Sequence, residues 1–111
     1  MHYLLLILLL LPATATAKYE ADYVKENCQG QVEVILQDRT RVDCLTEFYA
    51  VEFDYCRKWA EAIGQSLHYA RMTGKAPGIA LICDIEKEQR FIKRLWPIVK
   101  QLGIKFRIVE K

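Results

Sequence analysis

The chain has 111 residues, 52% of them apolar and 27% charged, with a net charge of +2. That length suits one compact domain and argues against two. The charge is unevenly spread: residues 18–84 hold 8 basic and 11 acidic side chains, and residues 85–111 hold 8 basic and 3 acidic. The basic final third reads either as a solvated helix face or as a surface for a polyanionic partner.

The chain opens with "MHYLLLILLLLPATATA". Leu4 to Leu11 is an apolar run, Pro12 breaks it, and Ala15-Thr16-Ala17 has the small-residue pattern of a cleavage site. The run is shorter than the roughly 20 apolar residues that span a bilayer. No Lys or Arg precedes it, which departs from the usual charged start. Residues 1–17 are read as a signal peptide, with an uncleaved anchor as the alternative, and the domain as residues 18–111. Export to a periplasmic or secreted location follows, with no stable membrane insertion after cleavage.

Residues 19–27 are expected to form a short helix, with Tyr19, Tyr23 and Val24 as its apolar positions. "QVEVIL" (31–36) alternates and is β-branched, so it is a strand. "QDRT" is a hairpin turn, "RVDCLT" (41–46) a second strand and "FYAVEF" (48–53) a third. A long helix over about 55–73 carries an apolar stripe of Cys56, Trp59, Ile63, Leu67 and Ala70. Gly74 is its expected C-cap. Pro77-Gly78 reads as a loop, and "IALICD" (79–84) as a strand buried on both faces. Asp84 is placed to cap a last helix bearing Phe91, Ile92, Leu95, Val99 and Leu102, kinked by Pro97 and ended by Gly103. "IKFRIV" (104–109) closes the chain as a strand. Trp59 and Trp96 read as packing residues.

The order α-β-β-β-α-β-α-β contains one strand–helix–strand crossover, which sets the third and fourth strands parallel in a mixed sheet. The fold class is α/β. The four cysteines, Cys28, Cys44, Cys56 and Cys83, allow three pairings of two bridges in an oxidising compartment. Cys44 and Cys83 sit at apolar strand positions and read equally as buried thiols, so one disulfide at most is expected. No C-x-x-C pair points to a zinc site.

Chemistry concentrates in residues 40–70. Strand alternation sets Val42 and Cys44 against Asp43, Val51 and Phe53 against Glu52 and Asp54, and Val32, Val34 and Leu36 against Glu33. The four carboxylates then share one face of three strands. On the long helix, Lys58, Ala62, Gln65 and Tyr69 form one stripe. Two carboxylates about 5 Å apart repel by ~3 kcal/mol at an effective dielectric near 20. A divalent cation with oxygen ligands relieves that, and Mg²⁺ takes one or two carboxylates plus waters and phosphate oxygens. Metal, carboxylates and lysine together suit phosphodiester cleavage. Asp54 also reads as a helix N-cap, Arg41 as a phosphate ligand or a hairpin salt bridge, and His68 as a surface residue. No Gly-rich phosphate loop, H-E-x-x-H or G-x-S-x-G is present, and acyl transfer has no support.

With these motifs the chain resembles the PD-(D/E)XK nuclease superfamily, the restriction-endonuclease-like fold. Within it, the chain is similar to small exported proteins sharing "TRVDCLT…AVEFD…KWAEAIGQSLHYA…TGK…G…LI". The resemblance covers residues 27–109 and implies an αβββαβ core in a mixed sheet, followed by the last helix and strand. It implies a nuclease using Mg²⁺ or Mn²⁺ on DNA or RNA, in a fold where homodimers are common. Asp43 takes the place of the first acidic residue and Glu52 of the second. Asp54 stands where the motif has lysine, and Lys58 of the following helix is the candidate to replace it. Gln65, with Tyr69 one turn later, resembles the Q-x-x-x-Y element. Asp43, Glu52, Lys58 and Gln65 are thus the implied catalytic set, and Asp43, Glu52, Asp54 and Glu33 the metal set. Glu20 or Glu26 of the first helix competes with Glu33 to complete it.

Overall fold

The computed structural model describes residues 18–111, and the signal-peptide reading of residues 1–17 lies outside them. The elements are α1 (Glu20–Asn27), β1 (Gln31–Ile35), β2 (Arg41–Leu45), β3 (Tyr49–Tyr55), a 3₁₀ turn (Cys56–Lys58), α2 (Trp59–Thr73), β4 (Ala76–Cys83), α3 (Gln89–Leu102) and β5 (Lys105–Glu110). The five strands make one mixed sheet in the order β1-β2-β3-β4-β5. β1–β2 and β2–β3 are antiparallel, and β3–β4 and β4–β5 are parallel. No helix among the described residues is long and apolar enough to cross a membrane.

The apolar run in β4 places it at the centre. Ile79 to Cys83 are all buried because helices cover both faces. On one face α1 sets Tyr23 and Val24 against Cys44, Phe53, Ala80, Ile82 and Val109. On the other, the 3₁₀ turn, α2 and α3 bring Cys56, Ala62, Leu95 and Val99 onto Ile79, Leu81 and Cys83. Phe53 has no exposed surface, and truncating such a residue to alanine costs about 3–5 kcal/mol.

Several expectations shift. Pro77-Gly78 is strand, not loop: Pro77 lies opposite Ala50 of β3, while the β5 ladder starts only at Gly78. On that side Pro77 has no strand neighbour, so its missing N–H breaks no ladder bond. The most buried positions of α2 are Ala62, Ser66 and Tyr69, and Leu67 is 39% exposed. The small Ala62 and Ser66 let the helix backbone approach the sheet, so Trp59 and Ile63 flank the contact and Leu67 turns outward. α3 begins at Gln89 and runs through Pro97 to Gly103, whose φ of 68° is the left-handed C-cap. Asp84 caps the preceding turn instead, its Oδ1 accepting the Lys87 N–H at 3.2 Å. Trp96 is 50% exposed rather than packed inside.

All four cysteines are paired, as Cys28–Cys44 and Cys56–Cys83, with Cα separations of 5.6 and 4.9 Å. The expectation of one bridge at most is therefore corrected. α1 carries Cys28 onto the same face as Cys44, and the 3₁₀ turn sets Cys56 beside the end of β4. Neither proximity is local in sequence.

Candidate functional site

The site grows from a fork in the sheet. β2 and β3 pair at Cys44↔Val51 and Leu45↔Ala50 and then part. Asp43 is the first residue past the split, and its Oδ2 accepts the Phe53 N–H at 2.8 Å, taking over a ladder bond. β1 is irregular at the same level. Val32 pairs with Cys44 and Val34 with Val42, but the Glu33–Asp43 rung is missing. Glu33 has a φ of 54°, a left-handed conformation that costs a side-chain-bearing residue about 1–2 kcal/mol.

This irregularity overturns simple alternation in β2. Val42 packs with Ala50 and Tyr69, whereas Cys44 packs with Phe53 and Tyr23. The turn of the chain between them aims Asp43 into the fork. β3 stays regular and carries Glu52 and Asp54 into the same gap, both 5% exposed. Asp54 is a strand residue, not the N-cap of α2. Its Oδ1 accepts the N–H of Tyr55, and Lys58 occupies the cap position without a side-chain cap bond.

The fork opens into a cavity of about 550 Å³. Asp43, Glu52, Asp54, Lys58, Gln65 and Tyr69 line it, together with Glu20 from the first turn of α1 and Arg39 and Arg41 from the hairpin. Four of the five sequence-identified acids or bases thus meet, and Gln65 joins them. Glu33 does not: it is exposed and does not line the cavity. Among the first-helix acids, Glu20 lines the cavity, while Glu26 pairs with Lys18 at 2.6 Å. Arg39 and Glu61 also line the cavity and were not singled out from the sequence. Glu61 lies three residues after Lys58, a spacing that marks one helix face. Arg39 sits in a turn and carries no such signal.

The chain matches no protein-family model, no curated protein and no solved structure. The chemistry of the cavity therefore rests on its own geometry.

Burial shifts each of its four carboxyls towards the protonated form. Burial, then the charge and hydrogen bond of Asp43, then the charges of Asp54 and Glu20, push Glu52 well above neutrality. Burial also raises Asp43, against the hydrogen bonds from Glu52 and the Phe53 N–H and the charge of Arg41. Glu20 is pushed up to about 7 by burial and by Asp54 and Asp43, with Lys58 opposing. Burial raises Asp54, against the Tyr55 N–H and Lys58. Tyr69 is raised to about 12, first by burial and then by Glu52 and Asp43.

Among the described residues no Lys or Arg forms a salt bridge with these four carboxyls: the ion pairs are Lys18–Glu26, His68–Asp38 and Lys111–Glu88. Nor, among them, do three or more His, Cys, Asp or Glu side chains form a group set to hold a metal ion. The donor chemistry fits a hard cation all the same. Half-buried Asp43 and buried Glu52 offer oxygen donors to the same cavity, and Mg²⁺ needs only one or two carboxylates from a protein.

One wall is fastened by His68, whose Nε2 lies 2.7 Å from Asp38 Oδ2 and 3.4 Å from Thr40 Oγ1. Asp38 also accepts two hydrogen bonds from Thr40, which with His68 hold it below its ordinary value. This links the β1–β2 turn, with Arg39 at φ 71°, to α2.

Proposed function

We propose that the protein is a divalent-metal-dependent nuclease of the PD-(D/E)XK type, hydrolysing phosphodiester bonds of DNA or RNA. The observation that carries this reading is the convergence of Asp43, Glu52, Asp54 and Glu20 beside Lys58 in an open cavity, with no salt bridge to them among the described residues. The element order α1-β1-β2-β3-α2-β4 is compatible with the αβββαβ core of that fold. Export to the periplasm or the exterior is part of the proposal, and two disulfides suit an oxidising compartment.

Asp43 and Glu52 would hold Mg²⁺ or Mn²⁺. The metal supplies polarisation of the phosphate and a lower pKa for the attacking water. The chain does the rest. The Phe53 N–H fixes the orientation of Asp43. Lys58 lies on the cavity wall, where an ammonium stabilises charge growing on a phosphate oxygen. Gln65 orients water or phosphate from the same helix face. Arg39 and Arg41 offer further cations to a phosphate entering over the hairpin. Both carboxyls are shifted upwards, so protons would compete with the metal and affinity would rise with pH.

A second reading has its own observation. With no group of three or more ligands among the described residues and Asp54 where lysine is expected, the cavity also suits an inactive binding or interaction module of the same fold. The deciding experiment incubates the protein with plasmid, single-stranded DNA and RNA in EDTA, Mg²⁺ or Mn²⁺, beside Asp43→Asn and Lys58→Ala. The nuclease reading expects metal-dependent cleavage that both variants lose. No cleavage of any substrate with either metal refutes it, and a calorimetric Mg²⁺ titration then separates an idle metal site from none.

A further inference from the structure

α3 carries Arg90, Lys93, Arg94 and Lys100 and no acidic residue. All four are exposed, and none takes part in a salt bridge among the described residues. Residues 1–17 hold no Asp or Glu that could neutralise them. Trp96 lies among them, 50% exposed, three residues after Lys93 and four before Lys100, so the three side chains share one helix face. Lys100 Nζ lies 5.6 Å from the Trp96 ring centroid, and the ring leans on Phe106 of β5 at 6.2 Å between centroids. A large flat ring is thereby held against β5 with half of its surface exposed.

We propose that this face of α3 binds single-stranded nucleic acid, with a base stacked on Trp96 and the flanking phosphates on Lys93 and Lys100. Unneutralised cations supply the affinity for a polyanion, and an aromatic ring between them suits an unstacked base. A duplex offers no free base face to such a ring. An anionic bilayer is the poorer fit, because a helix lying in the interface buries its apolar side in lipid, and here Leu95 and Val99 are already buried in the core. The proposal does not need the carboxyl cavity to be active. If the nuclease reading holds, α3 is a strand-holding surface for that site.

The test is fluorescence anisotropy of a labelled oligothymidylate, about 15 nucleotides long as for single-strand binders, with the full protein in EDTA so that nothing is cut. Binding should weaken as salt rises. Lys93→Gln with Lys100→Gln should lower the slope of log affinity against log salt by about 1.4, at ~0.7 for each phosphate that a lysine no longer neutralises. Trp96→Ala should weaken binding about 5- to 100-fold, the range for one stacked base, and Trp96→Phe should recover most of it. Arg71→Gln, which removes one exposed charge from α2, should change affinity less than twofold. Circular dichroism confirms that each variant is folded. Absence of oligothymidylate binding overturns the proposal. So does an equal loss in Arg71→Gln and Lys93→Gln, which would mean net charge alone, or tighter binding to phosphatidylserine vesicles than to the oligonucleotide. Binding that persists in a protein without cleavage sinks the nuclease reading and leaves this one standing. Cleavage without α3-dependent binding does the reverse.

Discussion

Replacing Glu52 by glutamine should flatten the pH dependence of stability. Glu52 is 5% exposed, and its folded-state pKa lies well above neutrality while its unfolded value is near 4.5. Between those values the native state keeps a proton that the unfolded chain has lost. Stability is therefore fully present below the unfolded pKa and falls as pH rises towards the folded one. One proton is worth about 1.4 kcal/mol per pH unit, so Glu52 removes on the order of 3 kcal/mol between pH 5 and pH 7. For a domain of this size that lowers the thermal midpoint by about 10–20 °C. Glutamine fills the same volume, can still donate to Asp43 and does not titrate. Metal-free wild type and Glu52→Gln should then unfold at similar temperatures near pH 4 and diverge progressively above pH 5, the variant being the more stable. Thermal melts followed by circular dichroism, in EDTA and at half-unit pH steps, read this directly. Parallel curves for the two proteins would refute the raised pKa of Glu52. Saturating Mg²⁺ at pH 7 should raise the wild-type midpoint and act more weakly on the variant, which has lost one anionic donor.

Glu20 should titrate near pH 7 in a carboxyl NMR experiment, and Lys58→Met should raise that value, because Lys58 is the cation opposing it; an unchanged titration would separate the two residues. Removing the Cys28–Cys44 bridge, whose partners are 16 residues apart, should cost about 3 kcal/mol in urea unfolding, and removing Cys56–Cys83, 27 apart, about 3.5 kcal/mol. Gly30→Ala should destabilise by about 1–3 kcal/mol, because its Cβ would lie 2.2 Å from the Leu45 carbonyl oxygen, a backbone atom that cannot swing aside; a neutral effect in the same urea assay would contradict that close approach.

Much of the architecture is legible in local pattern. Alternation in 31–35 and 105–109, the apolar run 79–83 and the glycines after Thr73 and Leu102 mark elements that the structure contains. The parallel pairing of β3 and β4 follows from the helix between them. Periodicity misjudges the apolar face of α2, because it weighs Leu67 above Ala62 and Ser66, whereas contact with the sheet favours the small residues. The cysteine count allows both bridges without saying which thiols meet.

For the site, the sequence by itself determined that Asp43, Glu52 and Asp54 lie on neighbouring strands and that Lys58 and Gln65 lead the following helix. Residue type and period carry that much, since they are properties of a few adjacent positions. Only the tertiary structure decided that β2 leaves β3 at Asp43, that Glu33 falls outside the cavity, that Glu20 rather than Glu26 enters it, and that the carboxyl pKa values shift upwards. Each of these depends on distances and burial set by residues far apart in the chain, and the field that shifts a carboxyl's pKa is a sum over neighbours that only folding brings together.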